Sequence, residues 1–160
     1  MRGYLLGAIA LVLAACSPGA SDAAPQSTQA APAVHPVSGL PVVPLKVTSG
    51  SKVHQFRVEL ARTPQEQAKG LMFRTEMGPD EGMIFPFDPP RRASFWMRNT
   101  VIPLDLIFVA PDGRISNIAA NAIPYDETPL YSDGEAKAVL ELNGGRAAEL
   151  GIKPGDRVEW

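Results

Sequence analysis

Residues 95–109 read FWMRNTVIPLDLIFV, and the second half of that stretch decides the fold class. Side chains alternate faces along a strand, so Leu104, Leu106 and Phe108 share one face while Asp105, Ile107 and Val109 share the other. Both faces are apolar except at Asp105, the pattern of a strand buried on two sides with one carboxylate inside it. A buried carboxylate is costly without a partner. The polar residues just upstream, Arg98, Asn99 and Thr100, are the nearest candidates. In that upstream half, residues 93–100 read as a further strand. Phe95, Met97 and Asn99 face one way and Trp96, Arg98 and Thr100 the other, until Pro103 breaks the run.

Working outward, strand signals dominate. Residues 45–48 and 54–60 alternate well and flank Ser49-Gly50-Ser51, a hairpin turn. Thr63 can cap a helix, Pro64 suits its first position, and Glu66 lies three beyond the cap, completing a capping box. A helix is therefore expected with Ala68, Leu71 and Met72 on one face. Gly70 weakens that helix but allows another element to approach closely. Residues 82–87 form a strand candidate and residues 88–92 a break. Pro111-Asp112-Gly113 turns the chain into a return strand over 114–119. Residues 121–135 read as a long loop rich in Pro, Asp and Tyr. A strand over 138–142, a short helix over 145–150 and a last strand over 157–160 complete the chain. Many short strands with one or two short helices indicate an α+β, mainly β domain, a compact small β-barrel or sandwich.

The N-terminal segment has a different character. Met1 and Arg2 precede an apolar run over 4–15 that is of signal-peptide length and too short to span a bilayer permanently. It ends in Leu13-Ala14-Ala15-Cys16, which resembles the bacterial lipobox, and Cys16 is the sole cysteine of the chain. The resemblance implies acylation of Cys16, which would remove a thiol that has no disulfide partner in an oxidising envelope. Each buried CH₂ of the acyl chains contributes about 0.8 kcal/mol to membrane attachment. Ser17, where Asp would favour retention at the inner membrane, implies the outer membrane by the same resemblance. Residues 17–44 hold six Ala, six Pro and a single charged residue, Asp22, a composition that reads as a tether rather than a core. The expected organisation is thus a signal peptide over 1–15, a lipidated Cys16 and tether over 16–44, and one globular domain over 45–160.

That domain carries 14 basic and 16 acidic residues, with neither a basic patch nor the aromatic-basic interleaving that nucleic acid requires. The histidines are His35 and His54, and with Cys16 assigned to the anchor no His/Cys cluster is available for a metal. No phosphate loop or nucleophile elbow is present.

The blocks Gly70-Leu71-Met72-Phe73-Arg74, Gly82-Met83-Ile84-Phe85 and Phe95-Trp96-Met97-Arg98-Asn99-Thr100 resemble the family called domain of unknown function 192. Pro103-Leu104-Asp105, residues 138–142 and Gly151-Ile152-Lys153-Pro154-Gly155-Asp156 continue the likeness in the same order, over roughly residues 55–160. The resemblance implies a small β-rich fold with a helix carrying the GLMFR block, and it implies no activity.

The candidate site residues follow from their setting. Arg74 reads first as the ion-pair partner of Asp105 or Glu141 and second as a carboxylate clamp. Asp105 and Glu141 both interrupt apolar strands; lining one cavity they could act as acid and base, while structural acids are the plainer reading. Trp96 reads as core, with Tyr125 and Tyr131 in a loop where binding residues concentrate. Met72, Met77, Met83 and Met97 read as core fillers, soft copper ligation being the alternative. The expected ligand-binding set is Arg74, Trp96, Arg98, Asn99, Thr100, Asp105, Tyr125 and Tyr131. Metal ligands and cofactors are expected to be none.

The expected function is binding of a small ligand, glycan or protein partner at the periplasm-facing envelope, without turnover. The alternatives are a hydrolase or lyase acting on envelope polysaccharide through Asp105 and Glu141, and a purely structural envelope component.

Overall fold

The computed structural model divides the chain into two units, residues 1–30 and 31–160, and describes Gly3 and residues 33–160. The signal peptide, the lipobox, Cys16 and residues 17–32 of the tether lie outside the described residues.

Residues 33–160 build a single seven-stranded sheet. A hairpin pairs β1 (Val42–Ser49) with β2 (Lys52–Leu60) around Gly50 and Ser51. Helix α1 (Pro64–Lys69) follows, with Thr63 and Glu66 forming the expected capping box. It is the crossover to β3 (Glu81–Phe95), which pairs parallel to β2. Then come β4 (Leu104–Val109), β5 (Ile115–Ala122), β6 (Leu130–Asn143), helix α2 (Arg146–Leu150) and β7 (Arg157–Glu159). The strand order is β5-β4-β6-β3-β2-β1-β7, curled into a half-barrel. A bridge between Arg114 and Arg157 joins the two edges at one corner. The mainly β class is as the sequence indicates, in one curled sheet rather than a stacked pair.

Two apolar clusters occupy the two faces of this sheet. The concave cluster draws on all seven strands, with Val47, Phe56, Ile84, Ile107, Leu140 and Val158 among its members, and is closed by Ala147 and Ile152. The second cluster covers the opposite face of β3, β4 and β6, where Phe85, Leu106, Phe108 and Val139 pack under Leu71 and Met97. Burial of β4 on both faces follows from this arrangement; all six of its residues are buried.

Four local expectations are corrected. The folded unit does not begin at residue 45: Val34 pairs with Pro41, the Val42 N–H donates to Ala33 O, and β1 starts at Val42. These residues extend the sheet edge, so backbone pairing overrides their tether-like composition. The GLMFR block is not helical, because α1 ends at Gly70, whose φ of 47° and ψ of −136° suit only glycine. Residues 96–100 leave the sheet after Phe95 and turn at Asn99, which has a left-handed φ of 55°. The expected loop over 121–135 is half strand, because Leu130 and Tyr131 pair with Phe95 and Ser94.

Candidate functional site

Three carboxylates are buried in strands, and they differ in what satisfies them. Asp105 is 0 % exposed. Its Oδ1 accepts from the backbone N–H of Asn121 (2.8 Å) and Gly145 (2.9 Å), and its Oδ2 from that of Ala147 (2.8 Å). The side chain thus ties β4 to the end of β5 and to the first turn of α2. The expected partners Arg98, Asn99 and Thr100 do not touch it, because the chain turns away at Asn99 before β4 begins. Asp105 belongs to the framework.

Glu59 on β2 is buried, and Arg74 clamps it through two parallel bonds, Nη1 to Oε1 at 2.8 Å and Nη2 to Oε2 at 3.1 Å. His35 completes the group, its Nδ1 lying 3.7 Å from Glu59 Oε1. Arg74 is therefore an ion-pair partner, as its first reading holds, but the acid is neither Asp105 nor Glu141. Glu59 was open to detection: Val58-Glu59-Leu60 has the same form as Leu140-Glu141-Leu142.

Glu141 on β6 is 5 % exposed, and among the described residues no side-chain hydrogen bond or ion pair reaches its carboxyl. Burial alone acts on it and pushes its pKa up to about 8. The group therefore holds its proton at neutral pH and is an O–H donor.

Sheet register keeps Asp105 and Glu141 apart. Asp105 lies opposite Leu142 and Leu106 opposite Glu141, so the two acids point to opposite faces of the sheet. They cannot flank one bond as paired acid and base. Across the outer face, by contrast, Glu59, Met83, Glu141 and Leu106 stand in one row of cross-strand partners. Glu141 and Glu59 are separated by a single strand.

Glu141 lines a cavity of about 430 Å³ between α1, β3 and residues 96–100, a volume within the usual range for small-molecule sites. Leu71, Met72, Phe85 and Phe95 supply apolar wall, and the Phe85 and Phe95 rings meet edge to face at 5.1 Å. Lys69, Arg91 and Arg98, all exposed, supply cationic rim. Among the described residues Lys69 and Arg91 make no ion pair, and Arg98 makes a half-exposed one with Glu127 at 3.1 Å. Helix α1 is held over this face by Gln67, whose Nε2 donates to Ala61 O and Pro86 O.

The remaining expected residues divide in two. Trp96 is not core: it is 45 % exposed, lines the cavity and carries the Arg98 guanidinium 4.6 Å over its ring. Its strand ends one residue earlier, so the indole leaves the sheet. Thr100 is buried and lines the same cavity, its hydroxyl donating to Arg98 O at 3.4 Å. Asn99, Tyr125 and Tyr131 do not line it. Asn99 serves the turn, its carbonyl accepting from Phe73 N. Tyr125, with a φ of 63°, donates its N–H to Met97 O and Thr100 O. Tyr131 sits on β6 with Arg92 5.7 Å over its ring. Lys69, Arg91 and Gln67 carried no signal in the sequence, since a lone cation beside a turn is ordinary surface. Met83 and Met97 are buried in the outer cluster, Met77 packs against it, and Met72 reaches the cavity.

A model of the family described as uncharacterized ACR, DUF192, matches residues 45–160. No curated protein matches the chain. Among solved structures, a protein of unknown function from Novosphingobium aromaticivorans is 70% identical with a TM-score of 0.80, over 82% of this chain and 94% of that one. A protein from Sinorhizobium meliloti proposed to be a transcription regulator is 43% identical with a TM-score of 0.71, over 72% of this chain and 91% of that one.

Proposed function

We propose a function for this chain, which belongs to the DUF192 family, from the state of Glu141: a small-molecule binding domain held at the cell envelope, acting without turnover. The observation that carries the reading is a buried Glu141 whose carboxyl has no side-chain hydrogen bond or ion pair among the described residues and lines a cavity of apolar wall, a few polar side chains and a cationic rim. Buried polar groups are normally satisfied, as Asp105 and Glu59 are in the same sheet. An acid left without a partner costs stability, and such costs concentrate where a ligand completes the site. A polysaccharide hydrolase or lyase reading loses the carboxylate pair on which it rested. The regulator description of the Sinorhizobium relative has little support in this chain, whose net charge is −2 and whose three rim cations face a cavity instead of forming a phosphate-tracking strip.

Replacing Glu141 by Leu tests the reading. The variant should be more stable than wild type at pH 7 and should lose ligand binding, measured as thermal shifts across a small-molecule and oligosaccharide panel. A panel that leaves the wild-type melting temperature unmoved, or that shifts both proteins equally, would count against a binding cavity. The envelope part of the proposal rests on residues 1–16 and the Ala/Pro-rich stretch after them. Cys16→Ala should move the protein from the membrane to the soluble periplasmic fraction, and retention at unchanged mass removes the anchor.

A further inference from the structure

We infer that the ligand of the Glu141 cavity is a small organic anion with an apolar body and a second oxygen, its anionic group at the Lys69–Arg91–Arg98 rim and that oxygen at Glu141. The inference rests on the binding reading above and adds the chemistry of what is bound. Cations and buried acid are segregated within one cavity. Lys69, Arg91 and Arg98 are exposed, whereas Glu141 is buried and neither attraction nor hydrogen bonding from a cation acts on it. The rim cations therefore do not serve as Glu141's counter-ions. Two of the three have no acidic partner among the described residues, so an incoming anion displaces no ion pair at Lys69 or Arg91.

The wall decides the middle of the ligand. Phe85, Phe95, Leu71 and Met72 present no strong donor or acceptor, Gln67, Ser94 and Thr100 being the uncharged polar side chains of the lining, and burial of an apolar body against the four is favourable. A polyhydroxylated sugar would leave hydroxyls unpaired along this wall, which is costly. Trp96, already stacked under Arg98, can take the face of a planar ligand at the mouth. At the inner end, a protonated Glu141 offers one O–H and meets an acceptor oxygen. Ionised, it would confront the same oxygen with negative charge and add repulsion toward an anion.

The groups whose charge bears on that equilibrium are few. Lys69 on α1, Arg91 on β3 and Arg98 after it face the cavity. Glu59, one strand away on the same face, is neutralised by Arg74.

The test uses 4-methoxyphenylacetate, whose ether oxygen can only accept, as the probe and its neutral analogue 4-methoxyphenylethanol as the control, with acetate as the anion lacking an apolar body. Binding is read from Trp96 fluorescence in a Trp160→Phe background, Trp160 being the other tryptophan of the chain. The acid should bind at least about tenfold more tightly than either control, and the double variant Lys69→Gln, Arg91→Gln should lose about tenfold for the acid alone. Raising the pH through about 8 should weaken binding to the wild type, while Glu141→Gln should bind independently of pH over that range. Equal binding of acid and alcohol overturns the anion assignment and leaves a binding cavity standing. Saturation by neutral compounds with no effect of the rim variants does the same. If no probe perturbs Trp96 and the broader panel is silent as well, both readings fall together.

Discussion

Positions 141 and 142 are neighbours on β6, yet the acids associated with them stand in opposite conditions. On the concave face, Asp105 lies across from Leu142 and accepts three backbone N–H bonds between 2.8 and 2.9 Å. On the outer face, Glu141 is also buried, and among the described residues no side-chain hydrogen bond or ion pair reaches its carboxyl. The first acid is satisfied entirely by the fold and closes the concave core. The second meets no side-chain hydrogen bond or ion pair among the described residues and lines a cavity. Buried acids on neighbouring strands thus separate into framework and site according to their partners, which the strand pattern does not reveal.

The contrast can be broken at its strongest point first. Asp105→Ala would strand the buried N–H of Ala147 and the part-buried N–H groups of Asn121 and Gly145; with about 1–3 kcal/mol for the buried group and less for the other two, urea unfolding should show a loss of roughly 2–5 kcal/mol. A loss under about 1 kcal/mol would deny Asp105 its framework role. Arg74→Met leaves Glu59 buried without its cation and should cost about 3–5 kcal/mol by the same measurement. The double replacement Arg74→Met, Glu59→Leu should recover most of it.

Glu141 should show the opposite sign. Its folded pKa, about 8, lies above its ordinary value of 4.5, so the folded protein binds the extra proton between those values. This contribution to stability is fully present below about pH 4.5 and is lost as pH rises through about 8. The loss amounts to at most about 1.4 kcal/mol per pH unit within the window. Melting temperature against pH should therefore fall across it in wild type and flatten in Glu141→Gln. A slope unchanged by that substitution would place the titration elsewhere. The smallest effect concerns the helix covering the cavity: Thr63→Ala removes the α1 cap and should cost about 1 kcal/mol. Probe affinity should fall with it if α1 holds the cavity's shape.

Much of the fold was legible because its signals are local. The β1–β2 turn, the Thr63–Glu66 capping box and the twice-buried β4 follow from alternation, turn residues and capping spacing, and all three are present. The errors lie where a single backbone conformation overrides a pattern. Gly70 ends α1 before Leu71 and Met72, and Asn99 lifts residues 96–100 off the sheet, so Trp96 emerges at a cavity mouth. The site was legible in part. Glu141, Thr100, Trp96 and Arg98 were singled out and line one cavity, whereas Asp105 and Arg74 turned out to be framework. Asn99, Tyr125 and Tyr131 stand outside the cavity.

Alternating polarity and turn chemistry, which act between residues a few positions apart, determined by themselves that this chain forms a mainly β domain and that certain strands carry buried acids. Only the tertiary structure decided what each acid meets. Asp105 finds its donors 16 to 42 residues away, Arg74 reaches Glu59 across 15, and the Glu141 carboxyl finds no side-chain partner among the described residues. Those pairings depend on strand register and on where two short helices come to rest, and a one-residue slip of β6 would exchange the faces of Glu141 and Leu142.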